Sequence, residues 1–357
     1  MTDMNSVLSQ EVEGLKKRMV EAVLPPELEQ KVSLMLERLL RIAQGSDYSL
    51  EYERVAHYLD WIVSLPWDKR SKDTLDLIKT RQVLDKHHYG LEDVKKRILE
   101  YLAVLKLKSE KEENPFSRAP ILLLVGLVGT GKTTFAISLA EALGRKFVRV
   151  PLGGMGSARD LRGQSRLHLE AEPGYIMKAL RRVQTKNPVV LLDEIDRVST
   201  EAREDVAGVL VELLDPEQNS AFVDHYVDYP FDLSEVLFVA TANNTGNIAT
   251  AVMDRLEPLS MPSYTDEEKI MIGKNYLLPR VLEESGVDND SLTIGEDLWP
   301  QIVRPLGYDA GIRTLQRTIK GIVRKTAVKI AEGQSEKIQV NSENIKEFLP
   351  TYQTEII

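Results

Sequence analysis

The chain contains no cysteine, which excludes disulfides, thiolate metal sites and cysteine nucleophiles. It also lacks any run approaching the roughly 18 uninterrupted apolar residues that a membrane-spanning helix needs. The opening, MTDMNSVLSQEVEGLKK, has no apolar signal core, so the expected address is cytoplasmic, with no membrane partner. Positive charge is in deficit: 46 lysines and arginines stand against 55 acids, a formal charge of −9. That balance argues against coating nucleic acid through bulk electrostatics, although a local basic face survives it. Internal repeats and low-complexity tracts are absent too. With 357 residues, the chain has the length of two or three domains and ample material for a packed core.

The order of elements is legible from punctuation. From Asn5 to about Arg70, apolar residues recur at three- and four-residue spacing, as in Leu34, Leu36, Leu39, Leu40 and Ile42 and again in Val55, Tyr58, Leu59 and Ile62. Breaks at Pro25-Pro26, Gly45-Ser46-Asp47 and Leu65-Pro66 divide this stretch into three antiparallel helices. Asp73 to about Glu113 reads as helix interrupted at His87-His88-Tyr89-Gly90. The period then changes. Short apolar runs at 121–125, 147–150, 189–192 and 236–240 alternate with helical segments near 132–143, 174–182 and 202–214, the pattern of buried parallel strands covered on both faces. Beyond Pro262 the sequence is helical again, at 266–282, 297–303 and 310–332, with a strand at 337–340 and a last helix near 341–348. The expected class is α/β: a five-stranded parallel-sheet nucleotide domain (72–262) between an N-terminal three-helix bundle (1–71) and a mainly helical lid (263–357).

The strongest chemical signal is Gly126-Leu127-Val128-Gly129-Thr130-Gly131-Lys132-Thr133-Thr134, a G-x-x-x-x-G-K-[ST] loop lying after a buried strand and before a helix. Its glycines let backbone N–H groups curl around phosphate oxygens, and the helix N-terminus adds favourable potential. Lys132 is placed to bridge the β- and γ-phosphates of ATP or the phosphates of ADP, and the Thr133 hydroxyl to ligate Mg²⁺. Sixty-one residues after the lysine, the run Val189-Val190-Leu191-Leu192 ends in Asp193-Glu194. A central strand would deliver Asp193 to the magnesium shell and Glu194 to the water that attacks in line. Asn243 ends the next buried strand at the same sheet edge, either to orient that water or to turn the strand into a loop. Arg255 reads either as a salt-bridged surface residue or, in a ring, as a group reaching a neighbour's γ-phosphate.

Beyond these generic motifs, several segments resemble the ATPase part of Lon proteases, within the AAA+ superfamily. They include Tyr58-Leu59-Asp60-Trp61 with Leu65-Pro66-Trp67, Thr80-Arg81-Gln82-Val83-Leu84-Asp85, His88-Tyr89-Gly90-Leu91, Arg97–Val104, and Leu213-Leu214-Asp215-Pro216-Glu217-Gln218-Asn219. The resemblance runs from about Asn5 to Pro350. It implies that Asn243 is sensor 1, Arg255 the arginine finger and Arg313, in Ala310-Gly311-Ile312-Arg313, sensor 2, with Tyr89 and Gly90 in the segment lining the adenine pocket. It further implies a homo-oligomer of six copies that grips unfolded or damaged polypeptide and threads it using ATP.

The departures from the family are as informative. Lon enzymes continue into a serine–lysine protease domain, whereas this sequence stops forty-four residues after Arg313, so no peptidase activity is expected of it. Aligned on Arg162-Gly163 and Pro173-Gly174, the family's aromatic-aliphatic-glycine substrate loop becomes His168-Leu169-Glu170. An imidazole and a carboxylate replace the wedge and the flexible glycine, which favours ATP hydrolysis over threading. His168 has no partner histidine at metal-ligand spacing. The phosphate loop has Leu127-Val128 where the family usually has two prolines, and Thr130 where valine is common. Two other readings therefore stand beside an unfoldase: a nucleotide-gated scaffold or regulator, and a DNA-associated ATPase using the basic residues Arg313, Arg317, Lys320, Arg324, Lys325 and Lys329 of the lid helix.

Overall fold

The computed structural model describes residues 2–44, 50–111, 119–168, 170–304, 311–334 and 337–349. Three helices open the chain: α1 (Thr2–Glu21), α2 (Pro26–Gln44) and α3 (Leu50–Ser64), each packed on the other two. Pro26 begins α2 where a missing N–H costs nothing, and α3 stops before Leu65-Pro66. The expected break at Gly45-Ser46-Asp47 lies outside the described residues. Next come α4 (Leu77–His87) and α5 (Glu92–Ser109). Asp76 caps α4 by accepting from the N–H groups of Ile78 and Lys79. The turn between them bends through Gly90 and Leu91, both left-handed.

The central sheet holds β1 (Ile121–Val125), β2 (Phe147–Pro151), β3 (Val189–Asp193), β4 (Leu237–Ala242) and β5 (Leu256–Ser260), in the order β2-β3-β4-β1-β5 with every neighbouring pair parallel. The helices α6 (Lys132–Leu143), α7 (Tyr175–Val183) and α8 (Arg203–Leu214) cover it. Four strands coincide with the apolar runs. The fifth, β5, reads differently: at the sheet edge beside β1 it has Leu256 buried, Pro258 and Ser260 exposed and the other two half-buried, and its edge position tolerates Pro258.

Side chains alternate across the sheet. Leu123, Val190, Leu192, Phe238 and Ala240 face a core shared with α1–α3, α7 and α8, whereas Leu122, Leu124, Val189, Leu191 and Val239 face a core shared with α4–α6 and the lid. The N-terminal bundle is fastened by more than apolar contact. The Tyr58 hydroxyl donates to the Val227 carbonyl at 3.1 Å, the Arg181 guanidinium lies 4.1 Å over the Trp61 ring, and Trp67 packs 4.9 Å from Phe231.

The lid comprises α9 (Asp266–Ile272), a π-helical turn (Gly273–Leu277), α10 (Leu278–Glu284), α11 (Trp299–Val303), α12 (Arg313–Ala331) and α13 (Ile345–Phe348). Thr265 and Glu268 form a capping box at the start of α9. Two short strands, β6 (Leu292–Ile294) and β7 (Ile338–Val340), pair in parallel. No described helix is long and apolar enough to cross a membrane.

Candidate nucleotide site

Parallel registry brings the functional residues to one edge of the sheet. Val125 lies beside Ala242, and Pro151 beside Asp193. The phosphate loop leaves β1 with the Gly126 N–H donating to the Ala242 carbonyl at 3.1 Å. It turns through Gly129 and Gly131 at φ +85° and +91°, conformations that strain any side chain. A cleft of about 400 Å³ opens between this loop, the strand tips and the lid, lined by Tyr89, Val128, Gly129, Gly131, Lys132, Thr133, Thr134, Asp193, Glu194, Asn243 and Arg313. Of the remaining loop residues, Gly126 and Thr130 support it from behind, whereas the Leu127 side chain is exposed and does not line it. A Cβ on Gly126 would come within 2.5 Å of the Met261 carbonyl, and the buried Thr130 hydroxyl donates to Leu127 at 2.9 Å. Gly90 shapes the turn beside Tyr89 rather than lining the cleft. A larger cleft of about 570 Å³ lies between the ends of α1 and α3 and contains none of these groups.

Polar groups at the strand tips are tightly coupled. The Lys132 ammonium donates to the Gly126 and Leu127 carbonyls and, at 3.2 Å, to Asn243 Oδ1. Burial pulls its pKa down, while the carboxylates of Asp193 and Asp196 oppose that pull. Asp193 accepts from the Thr241 hydroxyl and, at 2.6 Å, from Arg149. Glu194 is left-handed (φ 59°, ψ 50°), with its N–H donating to Thr241 Oγ1 at 2.9 Å. Its carboxylate passes so close to Gly153 that a Cβ there would lie 2.6 Å from Glu194 Oε2. Asp196 accepts from the Asn243 N–H at 3.1 Å.

The donor set suits a triphosphate with a divalent cation. Asn243, which lines the cleft, has its Nδ2 buried with no partner among the described residues, and four cations, Lys132, Arg149, Arg280 and Arg313, line the same cleft. No described group of three carboxylates or histidines is placed to hold a metal by itself. Magnesium held by one or two protein ligands together with substrate phosphates requires no such group.

On the opposite wall, the Tyr89 and Tyr276 rings meet edge to face at 6.5 Å, and the Tyr276 hydroxyl donates to the Asp85 carbonyl at 3.1 Å. The lid rests directly on the phosphate loop. Ile312 N–H donates to the Gly129 carbonyl at 3.1 Å, and a Cβ on Gly311 would sit 2.4 Å from the Val128 carbonyl. Arg149, Gly153, Asp196, Thr241, Gly311 and Tyr276 went unread in the sequence. Asp196, three residues after Asp193, and Gly311, two before Arg313, were visible signals.

Arg255, read as reaching a neighbour's phosphate, and the substrate-loop residues His168 and Glu170 lie outside this cleft. Arg255 follows the helical turn Thr250–Met253 and pairs with Asp215 at 2.8 Å, outside its own chain's cleft. His168 and Glu170 are exposed on the 164–172 loop, and Leu169 is outside the described residues. Beside them Leu167 is 91% exposed. Three of the six basic residues of α12 are engaged internally: Lys320 pairs with Glu284, Lys329 with Glu347, and Lys325 donates to the Glu347 and Leu349 carbonyls.

Comparison with known proteins agrees with this geometry. Residues 122–261 match the family model described as ATPase family associated with various cellular activities (AAA), and residues 283–339 match the Lon protease AAA+ ATPase lid domain. The chain is 44% identical over 346 residues to Lon protease 2 of Thermus thermophilus, covering 95% of this chain and 43% of that protein. It is 44% identical over 340 residues to a Lon protease of Dictyoglomus thermophilum (95% and 42%). With a Lon protease of Roseiflexus castenholzii it shares 43% over 349 residues (97% and 43%). It thus spans less than half the length of these relatives. With an AAA domain and a Lon-type lid matched on either side of residue 262, the chain belongs to the AAA+ ATPases of the Lon type.

Proposed function

We propose that this ATPase module hydrolyses ATP with Mg²⁺ in the cleft described above, working in the cytosol as a ring of six identical copies that unfolds and threads polypeptide. The observation that carries the reading is the meeting of Lys132, Thr133, Asp193, Glu194, Asn243 and Arg313 around one cavity. In this reading Lys132 neutralises the β- and γ-phosphates, and Thr133 and Asp193 hold Mg²⁺, which supplies further charge neutralisation when bound. Glu194 accepts a proton from the attacking water, Asn243 orients that water, and Arg313 reads the phosphates from the lid. Arg255 serves the site of an adjoining copy, in keeping with its place outside its own cleft. The working division of the chain is 1–71, 72–262 and 263–357; the two family matches fall inside the second and third units.

The test is hydrolysis of Mg-ATP by the full chain, with and without an unfolded protein such as casein. Stimulation by casein supports threading. Intact basal hydrolysis without stimulation favours the second reading, a nucleotide-gated scaffold, for which exposed His168 and Glu170 in the substrate loop speak. Stimulation by DNA alone would favour a DNA-associated ATPase, against which the internal pairing of Lys320, Lys325 and Lys329 counts.

A further inference from the structure

The segment Leu213–Asn219 has no part in the nucleotide cleft, yet its geometry is specific. Asp215 ends α8 in an extended conformation and fixes its own carboxylate: Oδ1 accepts the Glu217 N–H at 2.9 Å, and Oδ2 accepts from Gln218 Nε2 at 3.2 Å. The Asn219 N–H returns to the Asp215 carbonyl at 2.9 Å, while the Asn219 carbonyl accepts from Leu233. The result is a rigid mount. On it sits Arg255, whose Nη2 donates to Asp215 Oδ2 at 2.8 Å and whose Nη1 donates to the Ala251 carbonyl at 2.7 Å. The guanidinium is thus held from two sides while the side chain remains 28% exposed. Its Nε is buried with no partner among the described residues.

We propose that Asp215 is a positioning residue for Arg255, presetting the guanidinium to serve the nucleotide site of a second copy of this chain. The proposal rests on the reading of Arg255 given above. A long arginine side chain left free must be ordered at each encounter, and prior ordering removes that cost from the reacting complex. A carboxylate suits this role because its charge-assisted bond is strong and directional. Neither residue lines the cleft of its own chain, so loss of Asp215 should spare nucleotide affinity and lower turnover.

The experiment uses the full chain with Asp215→Asn, Arg255→Ala and Lys132→Ala. Asp215→Asn keeps the oxygen that accepts from Glu217 and removes the charge. Its kcat should fall about ten- to a hundredfold, with the Kd for ATP unchanged. Mixing is the decisive measurement. Lys132→Ala chains cannot bind ATP yet carry an intact Arg255, so they should restore turnover to Arg255→Ala chains and equally to Asp215→Asn chains. A defect of folding, or of the variant's own cleft, would not be rescued in this way. If Asp215→Asn does not fold, Asp215→Ser, which also offers an oxygen to the Glu217 N–H, replaces it. Parental turnover in the Asp215 variant overturns the proposal, as does a loss that mixing leaves in place while Arg255→Ala is rescued. Failure to rescue Arg255→Ala itself removes the reading of Arg255, and this proposal with it.

Discussion

At the scale of single residues, Glu194 carries the sharpest expectation. Its left-handed backbone costs roughly 1–2 kcal/mol, a strain retained where the carboxylate must stand beside Gly153 at the strand tip. Glu194→Gln should leave the Kd for Mg-ATP near its parental value and lower single-turnover hydrolysis by at least about 10²-fold. Parental hydrolysis in that variant would remove Glu194 from the chemistry. His88 makes a different prediction. Burial, followed by the electrostatic influence of the neighbouring His87 and Lys95, pushes its pKa down to about 4, below the ordinary value of ~6.5. The folded chain keeps the ring neutral while the unfolded chain takes up a proton below pH 6.5. Its contribution is therefore complete above pH 6.5 and lost as pH falls towards 4, an order of about 3 kcal/mol. Denaturant titrations at pH 7 and pH 4.5 should show a smaller acid loss for His88→Gln than for the parent. Lys132, Asp193 and Asn243 were legible because strand and loop patterns dictate where they emerge. Arg149 was not, since nothing local in Phe147–Pro151 announces that its guanidinium reaches Asp193.

At the scale of elements, the contact of lid and phosphate loop depends on two facing glycines. Gly311→Ala would drive a methyl group into the Val128 carbonyl and the Gly129 backbone, at 2.4 and 2.6 Å. The lid must then lift away from the loop. The expected outcome is a weakened Kd for ATP and at least about a tenfold loss in kcat/KM, with far-ultraviolet circular dichroism unchanged; parental nucleotide affinity would show that the contact is dispensable. Strands buried on both faces, such as Val189–Asp193, were legible as continuous apolar runs. The edge strand Leu256–Ser260 and the three-residue Leu292–Ile294 were not, because one carries a proline and half-exposed positions and the other is too short to show a period. The 266–282 helical pattern was legible as one helix. The π turn at Gly273–Leu277 that divides it follows from packing, since a Cβ on Gly273 would meet the Trp299 ring at 2.6 Å.

At the scale of the molecule, the three tryptophans report on different regions. Trp61 and Trp67 belong to the core shared with the N-terminal bundle, whereas Trp299 lies in the core shared with the lid. A Trp61→Phe, Trp67→Phe chain, keeping only Trp299, should change its emission when ATP binds, because Trp299 packs beside the π turn that carries Tyr276 and Leu277 at the cleft. A Trp299→Phe chain should respond little. Equal responses from both would show that nucleotide moves the N-terminal helices as much as the lid. The shared cores were hidden from sequence because the strands contribute alternately to each. Leu122 and Leu123 are successive in the chain and belong to opposite sides. Any swing of the lid pulls on one side of that partition only, while three helices brace the other. The enzyme's door is hung on a wall that need not follow its motion.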